Sequence, residues 1–259
     1  MCLLAIAWKV HPRYPLIFAG NRDEFHERPA RAAHWWADAP QVFGGRDLEA
    51  GGAWLGVRRD GRFAVVTNFR EPDRRPEDLR SRGELPLRFL AEPISASEYR
   101  DLLQRERDQY AGFNLLFGDP LRDAMYYFSN RAKQAVSLAP GVHALSNHLL
   151  DTPWPKVRRL RERFDLEVAR GAPSAERLLE MLADTTPAAE HELPNSGVSQ
   201  DWERLLSPAR IVSSVYGTRA STVVMIDASG QILFHERSFA PDGSVSGEVT
   251  QRFGGPVDE

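Results

Sequence analysis

Cysteine, lysine and long apolar runs are all scarce in this sequence. The chain of 259 residues has one cysteine, Cys2, so it cannot form an internal disulfide, and we expect a reducing, cytoplasmic location. No run of about 18 apolar residues occurs, so no membrane span is predicted. The apolar start of the chain ends at Lys9 and has no basic leader before it, which argues against a signal peptide. The other lysines are Lys133 and Lys156.

The charge pattern excludes further classes of function. The formal net charge is -3 and no basic stripe occurs, so nucleic acid is not an expected partner. One cysteine and scattered histidines give no metal-ligand spacing, so we predict no metal site.

The length and the 42% hydrophobic content suit one domain over residues 1–259. The Gly-rich polar stretch at about 240–259 is expected to be a loose tail.

Turn and cap signals indicate many antiparallel hairpins with helices grouped in mid-chain. Asp60-Gly61 supplies the positive φ of a tight hairpin, and Ser95 with Glu98 forms a capping box. Residues 16–20 form a strand that we expect to end before a polar cluster at Asn21. This pattern predicts the α+β class and not a parallel sheet.

Cys2 is the most informative residue because of its position. If the initiator Met1 is removed, Cys2 carries a thiol and a free α-amine. An α-amine has a pKa of about 7.7–8.0 and a thiol about 8.5, so the amine can act as general base for its own thiol. The alternative is a small buried hydrophobic residue in an N-terminal strand.

The polar cluster Asn21-Arg22-Asp23-Glu24 follows the second predicted strand. A carboxylate there, with Asp23 the better candidate, can hold the amino group of Cys2. Arg22 can favour the thiolate by its positive charge. The alternative is a salt-bridged turn.

Other candidates stand at strand ends or in loops. Asn68 and Asn147 each follow a predicted strand and can donate to an oxyanion, although such residues are often turn formers. Arg219 follows a glycine bend and can steady an anion, or form an ordinary salt bridge. Trp35 and Trp36 can wall an apolar pocket, although core packing is the favoured interpretation.

Taken together, these residues resemble the NRDE family, also known as the transport-and-Golgi-organisation protein 2 family. The matching pieces run through nearly the whole chain in order: Met1-Cys2, Asn21-Arg22-Asp23-Glu24, Gly51-Gly52-Ala53-Trp54-Leu55-Gly56, Thr67-Asn68-Phe69-Arg70, Ser146-Asn147, Leu150-Asp151-Thr152-Pro153-Trp154-Pro155-Lys156 and Tyr216-Gly217-Thr218-Arg219.

The family is similar to N-terminal-nucleophile (Ntn) hydrolases of the penicillin-acylase and bile-salt-hydrolase group. That resemblance implies a four-layer αββα sandwich. It also implies site roles: Cys2 as nucleophile, Asp23 as its carboxylate partner, Asn147 as oxyanion donor, Arg219 as a charge near the thiol and Asn68 beside the cleft. Candidates for substrate contacts are Asn21, Arg22, Glu24, Asn68, Trp35 and Trp36. The related hydrolases usually have an arginine where this chain has Gly20.

Three functions follow from these features, of which the weakest is a catalytically inactive Ntn scaffold that mediates protein contacts. The first is a cysteine amidohydrolase or thioesterase acting on a small acyl substrate, with no cofactor required. The second is a non-catalytic carrier of haem, acyl-coenzyme A or lipid, a function that the resemblance suggests. Haem would take Cys2 or a histidine such as His148 as its axial ligand. Residues 151–156 are assigned a structural role as a rigid turn into a helix.

Overall fold

The computed structural model of the protein describes residues 2–71 and 79–255. Within these ranges the β-strands are β1 (Cys2–Trp8), β2 (Leu16–Phe25), β3 (Ala30–Trp35), β4 (Val42–Asp47), β5 (Leu55–Arg58), β6 (Phe63–Asn68), β7 (Phe113–Asp119), β8 (Ala124–Ser129), β9 (Val136–Ser137), β10 (Gly141–Leu145), β11 (Tyr216–Ile226), β12 (Gln231–Phe239) and β13 (Val245–Gly254). The α-helices are α1 (Glu84–Ala91), α2 (Ala96–Glu106), α3 (Pro155–Ala169), α4 (Ala175–Leu182) and α5 (Gln200–Leu205).

The strands form two antiparallel sheets. One sheet has the order β10-β1-β2-β11-β12-β13, and the other has the order β3-β4-β5-β6-β7-β8-β9. Helices α3 and α4 pack on the first sheet, while α1 and α2 pack on the second. The architecture is therefore a four-layer αββα sandwich, and the expected α+β class is confirmed.

Alternation along β1 shows how the sequence builds these layers. Cys2, Leu4 and other even-numbered residues of β1 belong to the apolar core between the sheets. Leu3 and Ala5 belong to the core between the first sheet and its helices. A strand that is buried on both faces reads as a continuous apolar run, which is what the sequence has at residues 2–8.

The turn and the helix cap that were predicted from local sequence signals are both present in the structure. Gly61 has a φ of 91° in the turn between β5 and β6. Ser95 caps α2, and Glu98 completes the reciprocal capping box. Both predictions are confirmed.

Two expectations about strand ends were wrong. Strand β2 continues to Phe25, so residues 21–24 lie within a paired strand and not after its end. The stretch expected to be a loose tail contains β13, which pairs along β12 from Val245 to Gly254. An edge strand with one exposed face can be polar, so its sequence gives no apolar run. Residues 256–259 lie outside the described part.

No helix within residues 2–71 and 79–255 is both long enough and apolar enough to cross a membrane.

Gly52 allows two backbone segments to approach beside the second sheet. A Cβ at Gly52 would lie 2.4 Å from the carbonyl carbon of Gly83, and Ala53 N–H donates to the Gly83 carbonyl oxygen at 2.9 Å. Backbone cannot move aside as a side chain can, so we expect Gly52→Ala to lower the free energy of unfolding by about 1–3 kcal/mol. Urea denaturation would measure this. Gly247→Ala is the control, because no atom lies within 4 Å of its added Cβ; equal losses for both variants would contradict the prediction.

Candidate active site

A cavity of about 1190 Å³ opens between the two sheets beside the start of β1. Its walls include Cys2, Arg22 and Ser238 from the first sheet, and Trp54 and Asn68 from the second-sheet side. Such a cavity is large enough for a small organic ligand. The only cysteine of the chain is therefore in the wall of a large cleft.

Strand register places Cys2 in a lateral row of the first sheet. Cys2 pairs with Arg22, Arg22 with Ala220, and Ala220 with Ser238. Directly opposed residues have Cβ atoms about 4.5–5.5 Å apart on the same face. Arg22 is thus the cross-strand neighbour of the Cys2 thiol.

Burial and the neighbouring charges shift the pKa of the Cys2 thiol in opposite directions. The residue is 6% exposed, and burial raises the pKa of its thiol. The negative charge of Asp23 also raises that pKa, while the positive charge of Arg22 lowers it. The thiol therefore needs a nearby base or cation to ionise at neutral pH.

The guanidinium of Arg22 is only partly engaged by other side chains, so it can act on the neighbouring Cys2 thiol. Its side chain is 10% exposed, and its Nη2 lies 3.5 Å from Oδ2 of Asp47. Its Nη1 is buried and has no hydrogen-bond partner among the described residues. Residues 20 and 22 share a face of β2, so Arg22 brings positive charge to a face on which Gly20 has no side chain.

Asp23 is buried on β2, and its Oδ1 accepts a hydrogen bond of 2.7 Å from the hydroxyl of Thr218. Burial raises the pKa of this carboxyl. The charges of Lys156 and Arg22 and the Thr218 hydrogen bond act in the opposite direction. The carboxyl is thus held in one orientation close to Cys2, to which it is electrostatically coupled.

Arg219 is the extra residue of a β-bulge. Thr218 pairs with Asp23 and Ala220 with Arg22, which leaves Arg219 without a cross-strand partner. Its Nη1 donates to the carbonyl oxygen of Phe25 at 2.9 Å and to two further carbonyls of the turn at residues 25–28. Arg219 lines the cavity, and its guanidinium fixes the turn at the cavity rim.

The two predicted asparagines meet at the ends of β6 and β10. Nδ2 of Asn147 donates to the main-chain oxygen of Asn68 at 2.9 Å. The Ser146 hydroxyl donates to the Cys2 carbonyl oxygen at 3.0 Å and lies 3.1 Å from Oδ1 of Asn147. Asn68 lines the cavity, whereas Asn147 is fully buried behind it. Asn147 therefore holds the strand that presents Asn68.

Three candidates for substrate contacts lie away from the cavity. Asn21 faces the helices, where its Nδ2 donates to the carbonyl oxygens of Leu182 and Ala209. Trp36 is 1% exposed and Trp35 packs against Phe43 in the core between the sheets. We correct these three expectations: the alternation of β2 turns Asn21 away from the cleft, and burial of the indoles favours core packing.

Glu24 and aromatic side chains form the mouth of the cavity. Glu24 is half-buried on the cavity wall and accepts from the Phe25 N–H at 3.0 Å. Phe25, Tyr216 and Trp202 contact one another edge to face, with centroid distances of 5.1–6.2 Å. Trp54 adds an indole on the opposite side. The sequence signalled Trp54 only through its glycine-rich motif.

Two buried ionisable residues near the cavity were missed from the sequence. Glu236 lines the cavity, accepts from the Ala33 N–H at 2.7 Å, and has a pKa raised by burial. Lys156 is 3% exposed at the start of α3. The signal for Glu236 was its even-numbered position beside the inward-facing Phe234. Lys156 ends the motif at residues 151–156, which was assigned a structural role, but its local sequence does not separate it from a surface lysine.

A buried ion pair holds α5 against the end of β6. Nη1 of Arg70 lies 2.5 Å from Oε2 of Glu203, and the two side chains are 3% and 4% exposed. The Arg70 guanidinium also stacks over Trp154 at 4.6 Å. Oε1 of Glu203 accepts from Ser196. The pair therefore fastens the segment that carries Trp202 at the cavity mouth.

One group in the described part of the chain has metal-ligand geometry. Atoms of Glu176, His235 and Glu248 lie within 4.8 Å of one another. Nη2 of Arg237 already contacts both carboxylates, at 3.2 and 2.9 Å. A guanidinium in that position competes with any cation for the same oxygens.

Comparison with known proteins gives a family and a fold. A family model described as transport and Golgi organisation 2 matches residues 1–241. The Bos taurus Transport and Golgi organization protein 2 homolog is 36% identical, over 96% of this chain and 97% of the relative. The Mus musculus homolog is 33% identical, over 92% and 93%. A solved conjugated bile acid hydrolase from Clostridium perfringens aligns with 97% of this chain and 92% of its own, with a TM-score of 0.55 at 9% identity.

Proposed function

The chain belongs to the transport and Golgi organisation 2 family, and on that premise we propose that it is an Ntn-type cysteine hydrolase that cleaves an amide or thioester of an acyl group. The observation that carries the proposal is the Cys2 thiol in the wall of the 1190 Å³ cavity, directly opposite Arg22 on the next strand. The likeness to the bile acid hydrolase supports the fold, and the site supports the chemistry.

The proposed reaction begins once Met1 is removed and Cys2 carries a free α-amine. The amine takes the thiol proton, and the thiolate attacks the carbonyl carbon of the substrate. The tetrahedral oxyanion collapses, and the C–N or C–S bond breaks as the leaving group takes the proton from the ammonium. Water then attacks the thioester, giving the free acid and the thiol. Asp23 is suited to hold the amino group because its carboxyl is fixed by Thr218.

Arg22 and Asn68 supply the electrostatic support in this scheme. Arg22 lowers the pKa of a thiol that burial otherwise raises. Asn68 lines the cavity on the opposite sheet and is the better-sited donor to the oxyanion. Asn147 acts behind it, because its Nδ2 is engaged with the Asn68 carbonyl oxygen.

The cavity favours an acyl group with an apolar body. Trp54 and Val66 line one side, and Phe25, Tyr216 and Trp202 form the mouth. These apolar side chains suit an acyl chain, while charged residues also line the cavity, among them Arg22, Arg28 and Arg219. Thioester and amide substrates with acyl chains of increasing length would test the proposal, with intact mass of the protein read during the first turnover. A covalent acyl adduct followed by release of the acid is the expected result, and multiple turnover without any adduct would count against it.

A haem carrier is the second candidate, and His148 is the observation that favours it. His148 lines a separate cavity of about 520 Å³ together with Phe69 and Trp154. Its Nδ1 lies 2.9 Å from the Thr152 hydroxyl, and burial lowers the pKa of the imidazole. A neutral imidazole held at Nδ1 presents Nε2 as a ligand, so these residues fit an axial role. A Soret band that appears on titration with haem and disappears in His148→Ala, but not in the control His34→Ala, would support this function.

A further inference from the structure

Lys156 is a buried lysine that the proposed reaction has not yet used. It is the second residue of α3 and is 3% exposed. Its Nζ donates to the carbonyl oxygen of Leu206 at 2.8 Å. Lysine is almost never fully buried without a compensating charge, because removing an ammonium from water is costly.

The segment at residues 206–211 brings Lys156 beneath the site. Lys156 binds the carbonyl oxygen of Leu206, and Asn21 of β2 binds that of Ala209. Thr218, which holds Asp23, accepts from the Ile211 N–H at 2.9 Å. Lys156 and Asp23 are therefore attached to the same short stretch of chain, on the helix side of the first sheet.

Four ionisable groups act electrostatically on Lys156. They are Asp23 from β2, Cys2 from β1, Arg70 after β6 and Glu203 from α5. Arg70 and Glu203 are paired with each other at 2.5 Å. Asp23 has the largest electrostatic effect on Lys156, and Lys156 has the largest on Asp23.

We propose that Lys156 is a positioning residue, whose ammonium keeps Asp23 in its carboxylate form so that this carboxylate can hold the α-amino group of Cys2. The role in catalysis rests on the proposed hydrolase function, while the coupling of the two side chains does not. Burial alone favours a neutral Asp23, and a neutral acid would bind an ammonium weakly. The positive charge of Lys156 acts in the opposite direction and favours the anion.

The charges that act on Lys156 agree with this geometry. Burial lowers the pKa of Lys156 to about 8, and the charge of Asp23 acts to raise it. Lys156 thus loses its proton just above neutral pH, and Asp23 then loses its compensating cation. Tyr216 also faces Asp23 and Cys2, but burial raises its pKa well above its usual value, so it stays neutral in this range.

The small number of lysines makes the coupling directly measurable. In the full chain labelled with ¹³Cε-lysine, only Lys9, Lys133 and Lys156 give signals. We expect Lys156 to titrate near pH 8 in the wild type. In Asp23→Asn its proton dissociation constant should rise about tenfold or more, which is one pKa unit, while Lys9 and Lys133 stay unchanged as internal controls. A Lys156 midpoint that matches the other lysines, or that ignores Asp23→Asn, overturns the proposal.

A replacement variant and an independent rate measurement keep the proposal testable if Asp23→Asn does not fold. Asp23→Ser replaces Asp23→Asn if the amide variant does not fold, and the same shift is expected. Lys156→Met should lower the single-turnover acylation rate about tenfold. The double variant Lys156→Met with Asp23→Asn should be no slower than Asp23→Asn alone. Lys133→Met should leave the rate unchanged. Multiplicative losses would mean that Lys156 does not act through Asp23. Absence of acylation in the wild type, with the titration shift present, would sink the hydrolase function and leave the coupling intact.

Discussion

Replacing Cys2 with alanine is expected to abolish acyl transfer and leave the fold intact. Removal of a catalytic nucleophile typically costs about 10⁴-fold or more in turnover. Cys2 belongs to the core between the sheets, but its side chain is small, so its loss removes little packing. The measurement is the rate of acid release together with the intact mass of the protein after mixing with a thioester substrate.

The single cysteine gives this experiment an internal control. Any thiol-reactive label on the wild type must lie on Cys2, because the chain has no other thiol. Cys2→Ser keeps a nucleophilic atom in the same position, and we expect it to acylate slowly with the same site of modification. If the probe labels the wild type and Cys2→Ala equally, or neither of them, Cys2 is not the nucleophile.

Processing of the first residue is part of the same result. The amine can serve as base only if Met1 is absent, so the active fraction should equal the fraction of molecules whose mass lacks that residue. A chain that keeps Met1 and turns over at the full rate would require another base.

Much of the candidate site could be predicted from the sequence because its residues stand in short contiguous motifs. Cys2 and the 21–24 cluster lie on the two strands that pair with each other, and both were singled out from their position and chemistry. Hairpin and cap signals such as Asp60-Gly61 and Ser95 with Glu98 act within a few residues, so they too could be predicted.

The remaining features depend on contacts that are distant in sequence. Lys156 becomes part of the site only because its helix packs under the first sheet and its Nζ reaches the Leu206 carbonyl oxygen. The side-chain face of Asn21 depended on how far β2 extends, since a residue beyond a strand end has no fixed face. Strand β13 is stabilised by pairing with β12, and its own residues are mostly exposed.

Glu203→Ala is expected to lower the free energy of unfolding by about 3–5 kcal/mol, the usual cost of removing one partner of a buried ion pair. The reason is that Arg70 cannot lose its proton, so its guanidinium would stay buried and charged without the carboxylate 2.5 Å away. Urea denaturation would measure the loss through its midpoint at constant slope. Glu190→Ala is the matched control: Glu190 pairs with Arg204 in the same region, at 2.6 Å, but both side chains are exposed. Solvent screening makes such a pair nearly neutral, so only a small change is expected there.

The double variant Arg70→Met with Glu203→Leu separates the charge from the packing. Replacement of both ions by apolar side chains removes the uncompensated charge, so most of the stability lost in Glu203→Ala should return. If the double variant is as unstable as the single one, the loss comes from packing around Trp154 and Ser196 and not from the buried guanidinium. If Glu203→Ala is no less stable than Glu190→Ala, the pair does not fasten α5 at all. The aromatic mouth of the cavity, which includes Trp202 from that helix, would then have to be held by its ring contacts with Phe25 and Tyr216 alone.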